Sequence, residues 1–420
     1  MTPEPLPKGA TIGVIGAGVI GSSAAFVLAE RGYQVTLFDR AEPGLTGPSF
    51  GNAGHVVGSG IFPLAEPGIG VDGLKMLADP DAPLKVPPAY LPNILPWLWR
   101  FWRSSYGAAY DNSLRTLIAF NAGVVEESEA LFARAGMPER IKRAPALYLY
   151  ESERSYQASL PQWRTRDRAG LKSTHVDAAA IREMEPGLAP IFVRGVISHE
   201  WAIVTDPFDV VRGYVAAGQR LGVQLERASI DAVIAKGNRV EIRAAGAALQ
   251  FDAVLIAAGV WSRPLAERLG DTLPVEAERG YNLTFPTPAV SINRPLVLAD
   301  RGVVVTALTP GLRLGGWTEL GGTNLPPNPA RWQKMREITG AVLPALAQAP
   351  AKEWMGHRPS MPDSVPVISR SARAPNIFYA VGHGHYGLSY SAKTARIVGE
   401  LVGEAADANY PAHSIRRFAP

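Results

Sequence analysis

Gly16, Gly18 and Gly21 stand in the spacing Gly-x-Gly-x-x-Gly, and Asp39 follows eighteen residues after the third glycine. This pattern suits a dinucleotide. Gly16 permits a sharp turn, Gly18 lets the backbone approach a pyrophosphate, and Gly21 lets a helix pack closely on its strand. The phosphates would meet the unpaired amides and positive dipole end of that helix. Asp39, with Arg40 beside it, is placed to accept from ribose hydroxyls, and its carboxylate would repel the extra phosphate of NADP. Two further stretches are rich in small residues. Gly47-Pro48-Ser49-Phe50-Gly51-Asn52-Ala53-Gly54-His55 could lie flat against a large group such as a flavin, or be a plain surface loop. Gly382-His383-Gly384-His385-Tyr386-Gly387-Leu388-Ser389 leads into an expected helix, whose free amides would favour the negative charge of a reduced flavin. A strand-to-helix turn without a ligand is the plainer reading of that stretch.

The elements that must position these groups follow from periodicity. Apolar, β-branched runs at 12–15 and 34–38 flank a stretch of helix-forming composition at 22–29, so strand, turn, helix and second strand occur in register. Further strands are expected at 146–150, 193–198, 229–234, 239–242, 251–256 and 376–381. The 251–256 run ends in Ala257-Ala258-Gly259-Val260-Trp261-Ser262, a turn that would return the chain to the nucleotide. Residues 278–285, 303–307 and 312–317 read as antiparallel strands of a second sheet. Helices are expected at 112–136, 177–184, 328–346 and 391–402, and from Asp206 as N-cap and Pro207 in the first turn to about Leu221. Prolines between Pro80 and Pro96 mark a domain exit rather than a regular element. Trp97-Leu98-Trp99-Arg100-Phe101-Trp102-Arg103 then reads as an amphipathic helix that can rest at a lipid headgroup boundary, be buried, or cover a site as a lid.

At 420 residues the chain is long for a single core and suggests two domains. The net charge is only +4 and no block of Lys or Arg would track a phosphate backbone, so no nucleic-acid partner is expected. The absence of cysteine excludes disulfides, thiolate metal sites, iron–sulfur clusters, a Cys nucleophile and a cofactor tethered through sulfur; no metal is expected. Residues 1–8 are Pro-rich and lack the apolar core of a signal peptide, and the first apolar run is too short to cross a bilayer. The expected location is cytoplasmic, or peripheral on the inner membrane through the tryptophan segment.

Taken in order, these motifs resemble the D-amino-acid oxidase superfamily of FAD-dependent oxidoreductases, with the look of bacterial D-amino acid dehydrogenases. They are the first glycine pattern, the loop at 47–54, the 257–262 turn, the strand beginning Arg279-Gly280-Tyr281, the segment Gly356-His357-Arg358-Pro359-Ser360-Met361-Pro362-Asp363, and the last glycine turn. The resemblance spans nearly the whole chain. It implies FAD held by Gly16, Gly18, Val19, Ile20, Gly21, Asp39, Arg40, Ser49, Asn52, Ala53, Gly54, Gly259, Gly382, Gly387 and Leu388. It also implies Arg358 as the group that binds a substrate carboxylate, for which a planar guanidinium is suited because it donates two parallel hydrogen bonds. Tyr281 is implied as a second donor to that carboxylate, and His55 and His385 as active-site histidines; a sheet tyrosine and structural histidines are the plainer readings. His383 is expected to hydrogen-bond backbone in its turn. Relatives that tether flavin use a Cys near the C-terminus or a His in the first loop, where this chain has Gly51, so dissociable FAD is implied.

The implied fold is α/β (α+β overall). A Rossmann-like FAD-binding domain would comprise residues 1–85, 195–270 and 350–420, and a substrate-binding domain residues 86–194 and 271–349, built on a mostly antiparallel sheet with helices. The implied reaction oxidises a D-amino acid to its imino acid by hydride transfer from Cα to flavin N5, and hydrolysis then gives the 2-oxo acid. Electrons would pass to a quinone, another carrier or O2. Secondary amines such as D-proline, hydroxy-D-proline or sarcosine are the alternative substrates. A non-catalytic flavin electron-relay subunit and an NAD-dependent dehydrogenase are the alternatives from other classes. The walls of the side-chain pocket are expected from the second sheet and residues 90–102.

Overall fold

The computed structural model describes residues 4–69 and 84–419. Pro80 and Pro83 of the expected proline break, and the first three residues of the chain, lie outside them.

Thr11–Ile15 is apolar on both faces, which suits a central parallel strand. It pairs parallel with Gln34–Asp39 on one side and Ala253–Ile256 on the other. The sheet runs in the order Gln224–Arg227, Gln34–Asp39, Thr11–Ile15, Ala253–Ile256, Ile377–Val381 and Val367–Arg370, with only the last strand antiparallel. Helices Val19–Glu30, Pro207–Arg220 and Gly387–Glu404 bury one face, around Phe26, Leu28, Tyr214 and Leu401. A three-stranded antiparallel sheet, Ile230–Lys236, Arg239–Ala244 and Ala247–Phe251, covers the other with helix Ser262–Leu269. The single strand expected at 251–256 is thus two elements. Phe251 ends a hairpin, Ala253 begins the parallel strand, and the Asp252 carboxylate between them accepts from the Thr11 amide and hydroxyl, both at 2.7 Å.

The larger sheet is mostly antiparallel, in the order Lys352–Ser360, Glu276–Phe285, Gly311–Leu320, Val303–Leu308, Leu296–Leu298, Ala146–Tyr150, Arg194–Ser198 and Ser173–Asp177. Helix Pro329–Val342 packs on it over Tyr281, Leu283 and Leu314. Lys352–Ser360 lies beyond the boundary expected at residue 350, and most of Arg194–Ser198 beyond the one at 195, yet both strands pair in this sheet. A short fourth sheet joins His55–Val57, Trp201–Val204 and Ile141–Arg143.

Helix boundaries differ from expectation where glycine or proline decides. The helix expected at 112–136 is broken into Gly107–Asn121 and Val124–Arg134, because Ala122 is extended and Gly123 adopts a left-handed φ of +71°. The Pro-rich run does contain a regular element. Leu91–Ser104 is helical, with Pro92 in its first turn, where a proline nitrogen has no bond to lose, and with Pro96 inside it. Ile94 and Trp97 are its buried side, while Trp99 and Trp102 stack on each other, at 57% and 42% exposure, outside. The last helix begins at Gly387 rather than 391. Asp206 caps its helix as expected, accepting from the Phe208 amide at 3.0 Å. Among the described residues no helix is long and apolar enough to cross a membrane.

Candidate active site

The ends of the parallel strands open into a cavity of about 830 Å³, roofed by the larger sheet. The first turn is shaped by its glycines. Gly16 has a φ of +101°, and a Cβ there would lie 2.6 Å from the Ala257 carbonyl; one at Gly21 would lie 1.8 Å from the Gly16 carbonyl. Helix Val19–Glu30 starts without a side chain on its Gly18 N-cap and without an acid in its first turn, so its positive end faces the cavity. Asp39 accepts from the Ala17 amide at 2.7 Å and from the Ala41 amide at 3.1 Å, and Ser49 Oγ accepts from the Val19 amide at 3.1 Å. Arg40 lies over the Trp261 ring at 4.0 Å. Gly18, Val19, Ile20, Asp39, Arg40, Ser49, Asn52, Ala53, Gly259, Gly387 and Leu388 all border the cavity. Gly21, Gly54 and Gly382 sit behind its wall, where a Cβ would meet Gly16, Leu308 and Met361 respectively.

The loop at 47–54 is braced from the larger sheet. Arg313 donates to the Asn52 carbonyl at 2.6 Å and Asn282 Nδ2 to the Gly51 carbonyl at 2.8 Å, while Asn52 Oδ1 accepts from the Gly54 amide. A Cβ at Gly51 would lie 2.0 Å from the Trp354 ring.

At the far end of the cavity Arg358 lies flat over Gly280, where a Cβ would come within 2.3 Å of its guanidinium. Arg358 Nη1 donates to Glu278 Oε1 at 2.8 Å and Nη2 to the Gly316 carbonyl at 3.3 Å. Glu278 also accepts from Thr318 Oγ1 at 2.9 Å and Ser360 Oγ at 2.6 Å. Burial alone would raise the Glu278 carboxyl, but the adjoining Arg358 charge overrides it and holds the pKa at about 2. His55 contacts the Thr306 hydroxyl and the Trp201 ring, and burial lowers its pKa to about 3. Burial also lowers His385, Glu278 opposing this and Arg358 adding to it.

Tyr281 is not brought to Arg358. Side chains alternate along Glu276–Phe285, so Glu278 and Asn282 face the cavity while Arg279, Tyr281 and Leu283 point to the other side, Arg279 to Glu319 and the Leu325 carbonyl and the other two under helix Pro329–Val342. The Tyr281 hydroxyl donates to Glu319 at 3.1 Å and accepts from the Asn328 amide at 3.0 Å. His383 bonds the Thr394 hydroxyl of the last helix at 3.0 Å rather than backbone in its own turn.

A family profile described as FAD dependent oxidoreductase, DAO, matches residues 11–401. The chain belongs to this family. A D-amino-acid oxidase of Bradyrhizobium diazoefficiens is 34% identical to it over 407 residues, covering 94% of this chain and 96% of that protein. A D-amino acid dehydrogenase of Rhizorhabdus wittichii is 28% identical over 397 residues, covering 93% and 95%. The crystal structure of glycine oxidase from Geobacillus kaustophilus shares the fold, with a TM-score of 0.75 at 20% identity, covering 98% of this chain and all of that one. As a DAO-family oxidoreductase the chain is FAD-dependent, and its residues fit that group. The Gly16 turn, the helix starts at Val19 and Gly387, neither with an acid in its first turn, and the acid at the end of the second strand all meet in one cavity.

Sequence reasoning missed Glu278, Thr318 and Ser360 around Arg358, and Tyr148, Arg166, Trp201 and Tyr386 in the cavity wall. Strand parity could have found Glu278, since it stands two residues from Gly280 on the face that Arg358 crosses. Nothing local marks Arg166, which comes from helix Glu153–Arg168.

Proposed function

We propose that this DAO-family oxidoreductase oxidises D-amino acids to imino acids, which water then converts to 2-oxo acids. The supporting observation is Arg358, a guanidinium held flat in the wall of the same cavity as the dinucleotide cradle. The similarity to proteins named D-amino-acid oxidase and D-amino acid dehydrogenase points the same way. FAD, when bound, supplies the two-electron acceptor for the hydride leaving Cα. Arg358 grips the carboxylate, and its fixed position relative to the cofactor cradle sets which Cα face is presented, hence the D preference. Glu278 fixes one side of the guanidinium and is itself held by two further partners, Thr318 and Ser360. A substrate amine must be neutral to expel a hydride, and His55 and His385, kept neutral by burial, place no positive charge against it. With Gly51 in the first loop, FAD is held without a covalent bond. The electron acceptor is a quinone, another carrier or O2, and stopped-flow reoxidation in air separates O2 from the rest. The stacked Trp99 and Trp102, with Arg100 and Arg103 beside them, are our candidate for peripheral membrane contact.

Anaerobic titration with a panel of D- and L-amino acids tests the reading. Bleaching of the flavin absorbance by D enantiomers is the expected result; bleaching only by L enantiomers, or by none, refutes it.

A further inference from the structure

We infer that Arg166 forms an anion subsite in the substrate cavity and that the preferred substrates carry a second, distal carboxylate. This rests on the proposed reading of Arg358 as the α-carboxylate anchor. Arg166 and Arg358 border the same cavity. They differ in how their charges are met. Arg358 is neutralised by Glu278 at 2.8 Å. Arg166 donates Nε to the Ser59 carbonyl at 3.1 Å, and no carboxylate among the described residues lies within ion-pair distance of it. Glu66, within electrostatic reach, takes its hydrogen bonds from Gln162 instead, at 3.0 and 3.2 Å.

The Arg166 position is built rather than incidental. Its guanidinium packs on the rings of Trp163 at 4.6 Å and Phe62 at 4.7 Å, which restricts its swing and leaves the Nη edge for a ligand. Ser59 ties it to the cavity wall, because the Ser59 hydroxyl accepts from Trp201 Nε1 at 2.7 Å. Tyr148 and Trp201, in edge contact at 6.0 Å, supply the aromatic surface beside it, suited to a methylene stem. With Arg358 paired and the histidines neutral, Arg166 is, among the described residues, the cation at this end of the cavity that has no carboxylate in contact with it, Glu66 acting on it only from beyond ion-pair distance. A cavity guanidinium with no carboxylate in contact selects an anion, and a site built for hydrogen bonds to a charged group discriminates strongly against a neutral isostere.

D-glutamate and D-glutamine share a shape and differ in that charge, so their kcat/KM ratio in the FAD-loaded enzyme is the test. The parent is expected to favour D-glutamate by roughly tenfold or more, the usual worth of a hydrogen bond to a charged group. Arg166→Met should lower the D-glutamate value at least about tenfold and the D-glutamine value less than roughly threefold, and Arg166→Lys should keep part of the preference. Flavin absorbance of each variant checks that the fold is retained. Equal use of both substrates by the parent, or equal loss of both in Arg166→Met, overturns the inference. So does oxidation of D-alanine or D-norvaline without D-glutamate, which leaves the D-amino acid reading standing. If no D-amino acid bleaches the flavin, that reading fails and takes this inference with it.

Discussion

Arg358 and Glu278 form one device, and substitutions must respect that. Removing the arginine outright leaves a buried carboxylate without its counter-charge, which costs roughly 3–5 kcal/mol and confuses binding with folding. Arg358→Lys keeps the charge and loses the planar fork, so kcat/KM should fall roughly tenfold to hundredfold, chiefly through KM. Steady-state kinetics on a D-amino acid decides it, and unchanged kcat/KM would remove Arg358 from the carboxylate site. Histidines govern the response to acid. Burial depresses His55 and His383 to about 3 and His413 to about 4, all below the ordinary 6.5. The native state therefore refuses protons that the unfolded chain takes up. Stability is at its full value above pH 6.5 and falls as the pH drops toward 4, by about 1.4 kcal/mol per pH unit for each histidine. Unfolding free energies measured between pH 7.5 and 4.5 should show that slope, lessened by about one proton in His383→Gln. Legibility at this scale follows distance along the chain. Gly16, Gly18 and Asp39 stand out because the spacing that marks them lies within one short stretch of sequence. Glu278 and Ser360 do not, since 80 or more residues separate them from the groups they serve. Tyr281 looked functional by its motif, yet strand parity turns it to the opposite face.

Elements were legible where propensity acts alone and obscured where a single residue breaks the pattern. Asp206-Pro207 announced a helix start because cap and first-turn proline are both local devices. The helix break at Ala122 and Gly123 was hidden inside continuous apolar periodicity, and the Leu91–Ser104 helix was hidden by its own prolines. Two glycine substitutions separate the kinds of constraint. At Gly123 a Cβ would meet open space, so Gly123→Ala adds only left-handed strain, roughly 1 kcal/mol, and should leave FAD content and turnover intact. At Gly21 a Cβ would strike the Gly16 carbonyl, so the first helix cannot keep its distance from the turn. Gly21→Ala should purify without yellow cofactor, as the absorbance ratio of flavin to protein would show. A Gly21→Ala protein with full FAD content would mean that close helix packing is not what shapes the phosphate turn.

At the scale of the whole molecule the expected class was right, while the boundaries at 195 and 350 cut across strand pairing. A sheet is assembled by hydrogen bonds between distant segments, and those carry no mark in a linear reading. We place the two units by sheet membership, so that Arg194–Ser198 and Lys352–Ser360 go with the larger sheet. The cofactor cavity then draws walls from both: Gly16, Asp39 and Gly259 from the parallel sheet and its turns, Gly280, Asn282 and Arg358 from the larger one. A ligand seated between them couples their unfolding. FAD held at a hundredfold over its Kd adds about 2.7 kcal/mol to whatever state binds it, and that state requires both walls. The holoprotein should therefore melt in one calorimetric transition, several degrees above the apoprotein. Stripped of FAD, the chain should show a broader or divided transition, with the parallel-sheet unit, whose cradle loses its ligand, melting first. Identical transitions with and without FAD would mean that the two sheets are held together by their direct packing alone.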